Sequence, residues 1–307
     1  MVYDFQPGIL DGVPLFGRHL FFQLNAGVAQ DVTHWRRTLA ALSLPVASGD
    51  LVLGIGSGLV AATGEPARVA GLRPFPALQN GAIKVPATPT ALWCWLRGDD
   101  AGDLWNAGRA LEQALAPVAV CAAAFDTFRH GRGPNGHGLD LTGYEDGTEN
   151  PKGKAALAAA FVRGVGAGID GSSYVAVQQW QHDFARFDAM TSAQRDAVMG
   201  RRLGDNEEIE DAPESAHVKR TAQEDFVPEA FVLRRSMPWT LGRDAGLMFV
   251  AFGATLNAFE AQMRRMAGLD DGVVDGLFGM SQPLTGAYFW CPPMLAGHLD
   301  LRAFAAP

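Results

Sequence analysis

Between His19 and Phe128 short apolar stretches and helical stretches follow one another in the order β-α-β-β-α-β, and that order limits the chain to few architectures. HLFFQLN (19–25) carries enough alternation for a strand, and VTHWRRTLAALS (32–43) follows with Trp35, Leu39 and Leu42 at helical spacing. LVLGIG (51–56), LWCWL (92–96) and VAVCAAAFDTF (118–128) supply the other strands, with a helix over 103–115 before the last of them. A further short helix is expected at 66–72.

The second half runs in the same order. A short helix at 155–162 leads to a strand, YVAVQQW (174–180), and to a helix at 191–201 that Thr191 and Ser192 are suited to cap. FVLRRSM (231–237) and LMFVAF (247–252) form a hairpin pair around a turn containing Gly and Pro. A helix over 255–269 then sets Leu256, Phe259, Met263 and Met266 along one face, and a last strand covers 286–290. β-α-β-β-α-β is the split arrangement of a ferredoxin-like unit. The fold class is therefore α+β, with two ferredoxin-like units in one chain and antiparallel sheets with helices packed outside. The expected division is residues 1–140 and 141–307, and a chain of 307 residues is long enough for both.

Charge and composition remove several function classes. With 25 basic against 33 acidic residues, net -8, no run of Lys or Arg is long enough to track a phosphate backbone, so nucleic acid is not an expected partner. No stretch approaches the roughly 18 apolar residues that cross a bilayer. Asp4 comes early, no basic residue precedes Arg18, and Arg36-Arg37 lies within a helical pattern, so neither an export signal nor a membrane is expected and the protein reads as cytoplasmic. Cys94, Cys121 and Cys291 are far apart in apolar runs, as buried free thiols are. Gly54, Gly56 and Gly58 superficially suggest a nucleotide loop, but neither G-x-G-x-x-G nor a P-loop Lys is present.

The chemistry concentrates around LTGYEDGTENPK (141–152), where Asp146 stands between Gly143 and Gly147 with Asn150-Pro151 close behind. A backbone this rich in Gly, Asn and Pro presents its acid from a tight turn. G-x-x-D-G followed by T-E-N-P resembles the signature loop of the dye-decolorizing peroxidases, a family of haem enzymes. Two later segments extend the resemblance over essentially the whole chain. ESAHVKR, with His217, is similar to the segment that carries that family's proximal haem ligand, and FVLRRSMPW places Arg234 two positions before Ser236, as its B-type members place a distal Arg before Ser or Asn.

The resemblance implies one haem b per chain, held without covalent attachment since no C-x-x-C-H is present. His217 would ligate the iron, Gly147 and Arg220 would help to hold the cofactor, and Arg220 would do so at a propionate. Asp146 would shuttle a proton across hydrogen peroxide, Arg234 would steady developing negative charge, and Ser236 would hold a distal water. Asp275 is the nominee for the acid behind His217, and the oxidised partners would be phenols, dyes and other small electron donors. The rival reading is a haem-handling or porphyrin-modifying protein with incidental peroxidase activity. The sequence leaves open whether the chain forms a homo-oligomer.

Overall fold

The structure, a computed structural model, describes residues 4–28, 31–62 and 69–304. The first half contributes β1 (Phe16–Leu24), β2 (Leu51–Gly56), β5 (Leu92–Gly98) and β6 (Ala119–Phe128); β3 (Leu78–Asn80) and β4 (Ile83–Val85) form a separate small hairpin. The second half contributes β7 (Ser173–His182), β8 (Leu233–Arg234), β9 (Met237–Leu241), β10 (Asp244–Gly253), β11 (Ser281–Pro283) and β12 (Ala287–Cys291). One ten-stranded sheet takes the order β6-β1-β5-β2-β12-β7-β10-β8, with β11 also beside β7 and β9 beside β10. Each half thus lays its strands as fourth, first, third, second, and every pairing within the sheet is antiparallel. Two ferredoxin-like units are joined edge to edge.

The joint is narrow. Phe289 pairs with Gly56 and Trp290 with Ile55, and this explains the glycines of LVLGIG. A Cβ at Gly54 would lie 2.7 Å from that of Phe289, and one at Gly56 would lie 2.1 Å from the Thr90 carbonyl oxygen. These glycines let strands approach; they do not cradle a phosphate.

Alternation along the strands builds a core on each face of the sheet. Val175 and Val177 on β7 and Met248, Val250 and Phe252 on β10 join Phe21, Trp93 and Phe289 on one side. The sheet curls around that side until its two outer parts meet, where Thr127 Oγ1 donates to Met237 Sδ at 3.5 Å. On the other side Tyr174, Ala176, Trp180 and Ala251 pack with residues of the outer helices. Asp100 caps the helix Ala101–Leu115 by accepting from the Asp103 amide, and the helix Asn257–Met266 turns Phe259, Met263 and Met266 inward while Arg264 stays outside.

Several expected elements differ in detail. The helix at 32–43 is Val32–Ala40 followed by a separate short helix, Ser43–Ser48. The helix expected at 66–72 lies partly outside the described residues, and Val69 to Leu72 forms a turn closed by Leu72 N–H on Val69 O. The hairpin turns at Gly242, whose φ is +61°, while Pro238 lies in β9 opposite Leu247 on an edge where its missing N–H is tolerated.

Candidate active site

The loop around Asp146 is folded by its own backbone. The amide of Asp140 bonds to Tyr144 O and that of Gly143 to Asp140 O, both at 2.9 Å, while the Asp146 amide reaches Gly138 O at 2.9 Å. Gly143 and Gly147 sit at φ of +89° and +75°, the left-handed region in which a side chain would be strained. Asp146 is thereby carried on a rigid turn, and what exposure it keeps is to two adjoining cavities.

The first of the two is a mostly apolar cleft of about 860 Å³, counted to its open mouth, which is the order of size of a cofactor site. Trp180, Phe249, Phe259, Met263 and Met266 give it apolar walls. His217, Asp146 and Arg234 also line it, so the structure brings together three residues that are far apart in the sequence. His217 is the first residue of a short helix, His217–Arg220. Its Nδ1 lies 2.7 Å from Asp275 Oδ2, which leaves Nε2 as the ring nitrogen available to a ligand. Asp275 is buried and is held in turn: its Oδ1 accepts from the Leu277 amide at 2.8 Å, and the neighbouring Gly276 amide bonds to Ser215 O at 2.7 Å. The segments 215–217 and 275–277 are thus stitched together so that acid and imidazole meet.

Arg234 is positioned from the signature loop. Asn150 Oδ1 accepts the Arg234 N–H at 2.7 Å, and Asn150 Nδ2 donates to the Arg234 carbonyl at 3.0 Å. The second cavity meets the cleft at Asp146, Arg234 and Leu247 and opens outward between Arg129, His130, Arg132 and His137. It is a polar vestibule whose only acidic lining residue, among those described, is Asp146.

Burial raises the pKa of Asp146 above the ordinary carboxylate value. The nearby Asp140 carboxylate pushes the same way, and the Arg234 charge, the Gly147 amide and His217 oppose the rise without cancelling it. Asp140 behaves differently. Burial would raise it too, but hydrogen bonds from His182 and from the side chain and amide of Thr142 outweigh burial and hold its pKa low. His182 is fixed at both nitrogens, Nε2 to Asp140 Oδ1 at 3.1 Å and Nδ1 to Ser281 Oγ at 2.8 Å. These three residues also line the cleft.

A family model described as Dyp-type peroxidase, C-terminal, matches residues 137–296, which is more than half of the chain. The chain belongs to the Dyp-type peroxidase family. A dye-decolorizing peroxidase of Rhodococcus erythropolis is 28% identical over 271 residues, covering 86% of this chain and 78% of that protein. One from Mycobacterium tuberculosis is 30% identical over 230 residues, covering 72% of this chain and 66% of its own length. Among solved structures, a Dyp-type peroxidase from Shewanella oneidensis superposes with a TM-score of 0.84 at 27% identity, covering 95% of this chain and 97% of that one.

In this Dyp-type peroxidase three of the expected site residues stand outside the cleft. Arg220 is buried, but its Nη1 and Nη2 each lie 2.7 Å from an Asp271 carboxylate oxygen and Nη2 also donates to Arg265 O, so it is committed to a loop and does not line the cleft. Ser236 lines the vestibule rather than the cleft, and its Oγ accepts the Val250 amide at 3.3 Å. Gly147 likewise lines the vestibule. Asp140 and His182 carry no local pattern that marks them out. Asn150 alone had a clue, since it belongs to the T-E-N-P run.

Proposed function

We propose that this peroxidase binds one haem b in the cleft through His217 Nε2 and reduces hydrogen peroxide at the face bearing Asp146 and Arg234, drawing electrons from small-molecule donors. The residues fit the group. Apolar walls suit a flat macrocycle, a histidine braced by a buried carboxylate suits iron, and the buried Nε of Arg234 and Nε2 of Gln178 have no protein partner while facing the same space. The observation that carries the reading is the convergence on one cleft of a braced histidine with an acid and a fixed cation. A haem carrier would need the first and not the second pair. A heme-bound DypB variant of Rhodococcus jostii, similar in fold at a TM-score of 0.81 and 23% identity, supports the cofactor, and the Arg234-x-Ser236 spacing supports the B-type class.

When bound, haem supplies the electrons that split the peroxide O–O bond, and donors replace them singly. The chain's own part is proton movement and charge. Asp146, when ionised, takes a proton from one peroxide oxygen and delivers it to the other, which leaves as water. The Arg234 guanidinium offsets negative charge on the parting oxygens. The vestibule gives peroxide its route to both. Residues 1–140 and 141–307 remain our division into units, and the three unpaired thiols favour a reducing, cytoplasmic setting. Among the described residues no helix is long and apolar enough to cross a membrane.

The test is His217→Ala, with haem retention read from the absorption spectrum after gel filtration. Most haem should be lost, because the substitution removes the protein ligand to iron. Full occupancy with an unchanged spectrum would overturn the assignment.

A further inference from the structure

The vestibule beside the cleft gathers more cationic side chains than neutral hydrogen peroxide needs. Arg129, Arg132, Arg234 and Arg235 line its space of about 1020 Å³, counted to the open mouth. Among the described residues none of the four forms an ion pair, although the chain as a whole has a net charge of -8. The acids close by in the sequence are committed elsewhere. Glu145 accepts from the Asn135 amide at 2.6 Å and from Asn206 Nδ2 at 3.0 Å, Glu149 meets Arg201 at 2.7 Å, and Asp11 meets Arg97 at 3.5 Å.

The cavity is also shaped in advance. The loop that carries Arg132 is closed by its own backbone, with Gly133 N–H on His137 O and Leu139 N–H on His130 O, both at 2.9 Å. Arg235 donates to Arg234 O at 3.0 Å and to Leu10 O at 2.7 Å, and its buried Nε has no protein partner among the described residues. Burial, and then the charge of Arg97, pull its pKa down to about 10, so it is still a cation at neutral pH. Four arginines around one acid favour an anion. Val13, Leu139, Pro238 and Leu247 add apolar surface, which suits a short hydrocarbon stem behind that anion. The vestibule and the cleft share Asp146, Arg234 and Leu247, and the first two are the pair that handles peroxide on the proposed reading. An electron donor has no use for a proton shuttle and a fixed cation at its inner end; an oxidant needs both.

We propose that the vestibule is a binding site for organic hydroperoxides that carry a carboxylate. Arg129 and Arg132 hold the carboxylate at the mouth, Arg235 adds its charge, and the hydroperoxide end reaches Asp146 and Arg234. This rests on the proposed reading of the cleft and names a second class of oxidant for it. Asp146 takes the proton from the terminal oxygen and delivers it to the oxygen bonded to carbon; the O–O bond breaks, and the group that leaves is an alcohol where hydrogen peroxide would give water. The terminal oxygen becomes water with two electrons from small-molecule donors and two protons from solvent. One hydroperoxide, two electrons and two protons thus give one alcohol and one water.

The experiment mixes the haem-loaded protein by stopped flow with 6-hydroperoxyhexanoate or with uncharged hexyl hydroperoxide, which share the reactive end and the length of the stem. At low ionic strength the carboxylate form should react roughly tenfold faster or more, and added salt should narrow the ratio of the two rates. In Arg129→Gln/Arg132→Gln, at two exposed positions, the ratio should fall toward one, and Arg129→Lys/Arg132→Lys should restore it. Hexanoate, which cannot oxidise, should bind the haem-loaded protein in calorimetry, compete with 6-hydroperoxyhexanoate, and bind roughly tenfold more weakly to the glutamine variant. A ratio near one in the unsubstituted protein overturns the proposal, even if hexanoate binds, and so does a ratio that neither salt nor the glutamine variant lowers. In those cases an absorption spectrum that still responds to hydrogen peroxide leaves the reading of the cleft standing. A spectrum that responds to none of the three oxidants overturns both.

Discussion

Asn150→Ala separates the part of the signature loop that shapes the site from the part that reacts. Its amide spans the backbone of Arg234, with bonds of 2.7 Å to the N–H and 3.0 Å to the carbonyl. In β8 the next amide, that of Arg235, points into the sheet toward Val250 O, so the Arg234 N–H points away and depends on Asn150. The carbonyl keeps a second partner, since Arg235 Nη1 also donates to it at 3.0 Å. Truncation thus removes two neutral hydrogen bonds worth about 1 kcal/mol each and strands one half-buried N–H, for a loss of about 2–3 kcal/mol. In a chain of this size that lowers the melting temperature by roughly 5 °C. Arg234 then loses its fixed position, and the reaction with peroxide should slow by about tenfold or more, toward the effect of deleting a stabilising donor. Thermal melting and stopped-flow absorbance on the same preparation read both effects. An unchanged melting temperature with an unchanged peroxide rate would refute the argument that this amide holds the arginine in place.

Three further outcomes follow from the same geometry. Arg234→Leu should retain haem yet react with peroxide on the order of 100-fold more slowly, because Arg235 is turned away onto Leu10 O and cannot take over; stopped-flow absorbance checks this. Asp146 must be ionised to accept a proton, and its pKa is raised, so the peroxide rate should fall with decreasing pH along a limb above the ordinary value of about 3.9, and Asp146→Asn should abolish that limb. The sign for stability is the reverse: a carboxyl raised in the folded state contributes stability at low pH that is lost as pH rises through its folded pKa, so Asp146→Asn should melt higher than the parent at neutral pH and show no such gain in acid. Asp275→Asn should weaken haem retention roughly 10–100-fold by removing the charge behind His217, measured by transfer of haem to an apoprotein acceptor.

The legibility of the sequence tracks the range of the forces involved. Strands such as YVAVQQW and helices such as the one capped by Thr191 announce themselves because alternation and capping are local. Asp146, His217, Arg234 and Asp275 are all marked by resemblance to a family pattern; the convergence of the first three on one cleft depends on how β7, β10 and the outer helices pack. Arg220 was misplaced because an arginine beside a candidate haem ligand looks the same whether it faces a cofactor or an acid fifty residues on, and here Asp271 takes it. His182 reads as an ordinary histidine at a strand end until the sheet sets Ser281 on one side and the loop sets Asp140 on the other. The glycines of β2 record the approach of Phe289 from the far half of the chain, a contact that no window of neighbouring residues contains.

The residues lining the cleft all fall between Asp140 and Ser281, whereas the vestibule borrows Gly12, Val13 and the stretch from Arg129 to Gly138 from the other half of the chain. On the proposed reading, the stretches that admit peroxide and those that react with it are separate and meet at Asp146, Arg234 and Leu247. Exchanging the 129–138 loop between relatives would then alter how peroxide arrives without rewriting the residues it meets in the cleft.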